Sequence, residues 1–215
     1  MNFNTAKTNM LMNQIRTWDF ISPEVLAIME KLQREEFVPV TQRKLAFSDI
    51  ELPIGNDQHM MKPVVEGRIL QSLNLSGTES VLEVGTGSGF MTALLALSSK
   101  NVKSVDIYDD FLSSAEEKLK DAKIENFELT KLDIFSESLE EKYDVIVLTG
   151  STKIAPEFLF DSLNENGKIF AIIGTEPVMT ASIFTKTKNE ISQNELFETV
   201  VGPLKTPKKS SEFKL

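Results

Sequence analysis

Val81-Leu82-Glu83-Val84-Gly85-Thr86-Gly87-Ser88-Gly89-Phe90 decides how this chain is read. A largely apolar strand runs straight into a Gly-x-Gly-x-Gly turn, and a helical pattern from Met91 to Leu97 follows at once. Glycine has no Cβ, so the backbone can take positive φ and a ligand can lie against it. The N–H groups that open the next helix then face whatever is bound. The turn is therefore the candidate ligand site, and a nucleoside-containing cofactor is the first candidate to occupy it. Taken alone, three such glycines would mark only a tight strand-to-helix turn.

The residues around the turn choose among cofactors. A nicotinamide or flavin fingerprint spaces its glycines Gly-x-Gly-x-x-Gly and seats a pyrophosphate on the helix N-terminus. Here the third glycine comes one residue early, and Glu83 stands two residues before the first. An acid there would repel a pyrophosphate and welcome a cation. S-adenosylmethionine carries a sulfonium and an ammonium and has no phosphate. A second strand over Val102 to Ile107 carries Asp106, about twenty residues after the turn, where a carboxylate can accept from ribose hydroxyls. Together these favour S-adenosylmethionine, and a dehydrogenase falls to the back of the field.

Composition narrows the function classes. The 215 residues and 41% hydrophobic content predict one globular unit with a proper core. Lys and Arg total 23 against 32 Asp and Glu, a net charge of −9, which argues against nucleic acid as partner. With no cysteine, disulfides, zinc clusters and a thiol nucleophile are excluded, and a single histidine, His59, speaks against a histidine-based metal site. The N-terminus shows no signal-like apolar stretch, and no run approaches the ~18 apolar residues of a membrane span. A cytoplasmic protein without membrane association is the expectation.

Residues 1–75 read as a helical N-terminal extension. A first helix is expected over Thr5 to Thr17, and Ser22-Pro23-Glu24 has the cap, first-turn proline and acid of a helix start. That second helix is expected to end before Pro39, and Lys62-Pro63 opens another. Between them, 56–62 reads as a loop. Trp18, Phe20 and Phe37 are expected to pin the extension to the core.

From 76 to 204 strand and helix alternate as a doubly wound sheet requires. Strands are predicted at Ser80–Val84, Val102–Ile107, Asn126–Thr130, Tyr143–Thr149 and Lys168–Ile173, with helices at Phe90–Ser98, Asp110–Lys123 and Pro156–Leu163. Asn164 to Gly167 reads as a turn, and two strands around Ala181–Lys188 and Leu196–Val201 as an antiparallel edge. Residues 205–215 read as a mobile tail. Ligands bind outside the carboxyl ends of such strands, which gathers Gly85 to Gly89, Asp106, Asp133 and Thr149.

These residues also carry a resemblance. Ile15-Arg16, Glu35-Glu36-Phe37-Val38-Pro39, Leu52-Pro53-Ile54-Gly55, Val81 to Phe90, Tyr143 to Thr149 and Gly167 to Gly174 resemble, in order, the blocks of the protein-L-isoaspartate (D-aspartate) O-methyltransferases. The resemblance implies a Rossmann-like S-adenosylmethionine-dependent methyltransferase: an α/β fold with a doubly wound, mostly parallel sheet and an antiparallel C-terminal edge. It further implies methyl transfer to the free carboxylate of isoaspartyl residues in a peptide or protein, as a step of protein repair. Carried over by position, Glu83 with Gly85, Thr86, Gly87, Ser88 and Gly89 would surround the methionine part, Asp106 the ribose, and Asp133 with Ile134 the adenine, and Ile107 belongs to the same cofactor set. Thr149 completes the cofactor set.

The loop departs from the family pattern. Where the family reads Gly-x-Gly-Gln-Thr-Ile-Ser-x-Pro, this chain reads Asn56-Asp57-Gln58-His59-Met60-Met61-Lys62-Pro63. Gln58 and Pro63 match, while His59 replaces the Thr and Met61 the Ser. A carboxylate is already an ionised nucleophile, so esterifying it needs alignment and no general base. Gln58, His59 and Met61 are thus the candidate catalytic residues, with no metal. His59 reads either as a donor or base toward substrate or as a plain loop histidine. Lys62 reads as a countercharge for an acidic substrate or as a surface lysine. Three functions stay open: the isoaspartyl enzyme, the same fold turned to another substrate, and a non-catalytic S-adenosylmethionine-binding protein.

Overall fold

The computed structural model describes residues 2–17, 21–188 and 190–206. Trp18, Phe20 and 207–215 of the expected tail lie outside the described residues. The N-terminal layer begins with α1 (Phe3–Asn9), started by Asn2 Oδ1 accepting from Thr5 N at 3.3 Å. The expected helix does not continue unchanged: Met10–Ile15 is π-helical. That looser winding shifts the register of the buried face, which takes Met10, Leu11 and Ile15. Helix α2 (Pro23–Lys31) starts as read, with Ser22 Oγ accepting from Val25 N at 3.3 Å. It stops well before Pro39, and Arg34–Glu36 and Val40–Leu45 are short 3₁₀ turns.

The segment read as a loop is a β-hairpin. Strand β1 (Leu52–Gly55) pairs antiparallel with β2 (Gln58–Met60), in the register Leu52 to Met60 and Pro53 to His59. Asn56 and Asp57 close it with φ of +51° and +53°. Both therefore take the left-handed conformation that a two-residue type I′ turn demands and that Asn and Asp tolerate best after glycine. Helix α3 (Pro63–Leu73) follows.

The core sheet comprises β3 (Ser80–Val84), β4 (Asn101–Asp106), β5 (Phe127–Lys131), β6 (Tyr143–Thr152), β7 (Leu163–Thr175), β8 (Val178–Lys186) and β9 (Ile191–Glu198). Their order is β5-β4-β3-β6-β7-β8-β9, parallel through β7 and antiparallel beyond it. Helices α4 (Phe90–Ala96) and α5 (Asp109–Asp121) follow β3 and β4. Alternation splits the strands between two cores. Val81, Val102, Val145 and Val147 join the cluster under the N-terminal layer and α3 to α5, while Leu82, Val84, Val105 and Leu148 face the other side.

On that second face the expected helix over 156–163 is a short 3₁₀ segment, Glu157–Ser162, ended by the extended Leu163 that begins β7. The expected turn at Asn164 to Gly167 lies inside β7. It forms an irregularity between the pairs Tyr143–Leu163 and Val145–Lys168, with Asn166 at φ +62°. Among the described residues no helix is long and apolar enough to cross a membrane.

Candidate functional site

Strand order reverses at β3, and the turn leaving it is shaped by three positive-φ glycines, Gly85 (+99°), Gly87 (+49°) and Gly89 (+81°). At Gly85 a Cβ would overlap Thr149 Oγ1. That hydroxyl lies 2.6 Å from Gly85 O and 2.9 Å from Val84 O and donates to this carbonyl pair, tying the end of β6 to the turn. Asp106 closes the other side. Its Oδ2 accepts from Gly87 N and its Oδ1 from Tyr108 N, both at 3.0 Å. Burial raises the Asp106 carboxyl above the ordinary aspartate range, and the backbone donors only partly offset this.

The structure gathers most of the predicted site residues around one cavity. Gly85, Thr86, Gly87 and Ser88 form its floor, Asp106 and Ile107 one wall, and Asp133 and Ile134 the next, with Thr149 opposite. Asp133 also organises its own turn, its carboxylate accepting from Phe135 N at 3.1 Å and Ser136 Oγ at 2.7 Å. Each oxygen keeps lone-pair capacity for a further donor.

Two predicted cofactor residues are not on the cavity. Gly89 faces α5, where a Cβ would stand 2.9 Å from Ala115 Cβ, so its role is close helix packing. Glu83 points with Val81 to the buried face and is 0% exposed. Its Oε2 accepts from Thr92 Oγ1 at 2.5 Å and Ser104 Oγ at 2.6 Å, while Oε1 accepts nothing among the described residues. Burial outweighs both hydroxyl donors and pushes this carboxyl up to about 8.

The hairpin covers the cavity from above. Ile54 Cδ1 would lie 3.2 Å from a Cβ on Gly87, and at the hairpin tip Asn56 Nδ2 donates to both Asp110 oxygens at 2.9 and 3.1 Å. Gln58 reaches the cavity, but its Nε2 donates to Asp57 O at 2.9 Å, within the turn. His59 is exposed at the mouth, and Met60 and Met61 form a buried apolar wall. Half-buried Glu51 lines the same mouth, its carboxyl raised by burial and lowered less by the charges of Lys62 and His59. Lys62 itself sits on an adjoining outer groove with Asp49 and Arg68.

Two supports escaped the sequence reading. Arg34 is fully buried: its Nε donates to Ala46 O at 2.8 Å, its Nη2 to Met61 O at 2.7 Å and its Nη1 to Glu66, and its guanidinium lies 4.8 Å from the Phe90 ring centroid. One side chain thus ties the hairpin's exit to α3 and to the first residue of α4. Burial raises the Glu66 carboxyl above the usual range despite the adjacent guanidinium. Arg34 precedes a pair of glutamates and reads as surface; only its place ahead of the Phe37-Val38-Pro39 block could have marked it. The second support is the segment after β9. Ser151 N donates to Gly202 O at 2.9 Å and Leu204 N to Ser151 O at 3.0 Å, which lays Gly202 and Leu204 along the cavity. With Ile54 and Leu204 both drawn in, the free interior is about 100 Å³.

The sequence profile of the protein-L-isoaspartate(D-aspartate) O-methyltransferases matches residues 6–208. The chain belongs to that family. It is accordingly an S-adenosylmethionine-dependent O-methyltransferase by family, and neither a different acceptor nor a non-catalytic role is favoured. Among its relatives, the protein-L-isoaspartate O-methyltransferase of Methanoculleus marisnigri is 35% identical over 162 residues, 75% of this chain and 74% of the relative. That of Thermosipho melanesiensis is 32% identical over 190 residues, 86% of this chain and 95% of the relative. A Plasmodium falciparum structure assigned to the same activity, in complex with S-adenosyl-L-homocysteine, superposes with a TM-score of 0.80 at 23% identity and covers 93% of this chain and 98% of its own. That likeness shows the fold.

Proposed function

We propose that this chain moves a methyl group from S-adenosylmethionine to the free α-carboxylate of an isoaspartyl residue in a protein or peptide. The observation that carries the reading is the meeting, over one cavity, of a glycine turn walled by Asp106 and a hairpin bearing Gln58 and His59. The donor set suits the cofactor. Asp106 can exchange or share its Gly87 N–H bond for ribose hydroxyls, and Asp133 can accept from an adenine amino group beside Ile134. A pyrophosphate fits poorly, because Asp57, Asp106 and Asp133 all line the cavity and the Gly87 N–H is already taken.

When bound, the sulfonium supplies an electrophilic methyl group with a neutral thioether as leaving group. The chain's residues then have to align a nucleophile that is ionised already, since an α-carboxyl titrates near 3.5. His59, where the family pattern has Thr, supplies an imidazole N–H to hold the carboxylate. Met60 and Met61 give the reacting atoms an apolar, water-poor wall. Ligand sites of this kind are typically ~300–1,000 Å³. The enclosed interior here is about 100 Å³, and our reading has the hairpin or the 202–204 segment lift to admit the donor.

The test is transfer of labelled methyl to a pair of peptides, one isoaspartyl and one normal aspartyl. Gly87→Asp serves as the cofactor-site control. We expect incorporation into the isoaspartyl peptide alone, none in the control, and a loss on the order of 10²-fold in kcat/KM for His59→Gln with donor affinity unchanged. Donor binding without incorporation into the isoaspartyl peptide would overturn the reading.

A further inference from the structure

We propose that Glu83 is a positioning residue that holds a proton in the absence of ligand and releases it to solvent when a sulfonium-bearing ligand docks on the glycine turn. This rests on the donor reading above. On release the carboxyl O–H bond breaks, the electron pair stays on the carboxylate, and the proton passes to buffer.

The surroundings of Glu83 carry the proposal. It is 0% exposed and forms no ion pair among the described residues. From β4 it faces Ser104, its register partner, and the nearby Asp106, a like charge; β6 opposes it with Val147, and α4 with Thr92. Two hydroxyls on Oε2 and nothing on Oε1 are poor compensation for a buried anion. The raised carboxyl, about 8, agrees with that geometry.

A cation above the turn changes the balance. A cation resting on Thr86, which the Ser104 hydroxyl joins to Glu83 in two steps of 2.6 Å, lowers such a carboxyl by roughly 1–2 pKa units at an effective dielectric of about 20, enough to carry it across neutrality. A route for the proton is built in. Thr86, on the cavity floor, lies 2.6 Å hydroxyl to hydroxyl from Ser104, which reaches Glu83 Oε2. Before release the Glu83 Oε2–H donates to Ser104 Oγ and Ser104 to Thr86; passing the proton outward reverses each hydroxyl, so that afterwards Thr86 donates to Ser104 and Ser104 to the carboxylate. Glu83 then fixes the Thr86 hydroxyl from below, and ionisation tightens that hold as the ligand arrives.

Isothermal titration calorimetry of the full chain near neutral pH, in buffers of different ionisation enthalpy, counts the protons. We expect roughly 0.5–1 proton released per S-adenosylmethionine, less for S-adenosylhomocysteine, which lacks the sulfonium charge, and close to none in Glu83→Gln. The comparison with Glu83→Gln subtracts every other titratable group on the cavity, Asp57, Asp106, Asp133 and Glu51 among them. Ser104→Ala keeps the carboxyl but removes one donor, so release should persist with its midpoint moved to higher pH. That shift decides the matter if the glutamine variant does not fold. Binding heat with the same proton count in wild type and Glu83→Gln, or an unmoved midpoint in Ser104→Ala, overturns the proposal. No binding heat for either ligand overturns the donor reading itself.

Discussion

The floor and the roof of the cavity are built by opposite means. The floor, Gly85 to Ser88, is shaped by backbone: positive φ angles, N–H groups and positions where a Cβ cannot fit. The roof, Leu52 to Met61, is shaped by side chains and held by distant ones, with Arg34 at its exit and Asp110 at its tip. A backbone-defined surface tolerates almost no substitution. A side-chain-defined one can change its chemistry while keeping its place, and this is the wall where His59 and Met61 stand in for the hydroxyls of the family pattern.

The contrast can be broken most severely at Gly85. Gly85→Ala adds a Cβ that overlaps Thr149 Oγ1 at a φ of +99°, a conformation costing about 1–3 kcal/mol for a residue with a side chain. Equilibrium binding should show donor affinity weakened on the order of 10²-fold or more. Arg34→Met tests whether the roof depends on its remote support. Removing one member of a buried pair leaves Glu66 and the carbonyls of Ala46 and Met61 without their donor, and denaturant unfolding should show stability lower by about 3–5 kcal/mol above neutral pH.

The sign of the pH dependence of Arg34→Met follows from Glu66. Its carboxyl is raised by burial to about 7 with the guanidinium beside it and rises further without it, so at and below neutral pH Glu66 of Arg34→Met is protonated and uncharged, and the deficit widens as pH rises above neutrality. Arg34→Met with Glu66→Met should recover the part of the loss that comes from the orphan charge, while the carbonyls of Ala46 and Met61 still lack the donor. The smallest effect belongs to Asn56→Gly, which opens an exposed clasp and keeps a residue suited to a φ of +51°. Stability should change by less than about 1 kcal/mol, and stopped-flow should show faster donor association. An unchanged rate would mean that the roof does not lift at its tip.

This division also governs what could be read in advance. The glycine turn, Asp106 and the parallel strands were legible because their constraints act between neighbours in the chain. The hairpin was hidden by Pro53 within β1 and by an Asn-Asp pair where a strong hairpin signal would be Asn-Gly. Arg34 was hidden because its partners Met61 and Glu66 lie 27 and 32 residues away. Glu83 reads as a cofactor residue from its place before the glycines, but strand alternation buries it beside Val81 beneath the turn, off the cavity lining. The segment after β9 looked like the end of a strand before a loose tail, and nothing local in Val201 to Leu204 announces a main-chain pairing with Ser151.

That short pairing reaches further than its two main-chain hydrogen bonds suggest. A ligand that enters only while the cavity is open binds with an intrinsic dissociation constant divided by the open fraction. If the Ser151–Pro203 bridge sets that fraction, the strand end acts as a thermostat on occupancy. Strengthening it would lower apparent affinity and slow both entry and escape, with every atom that touches the ligand left unchanged.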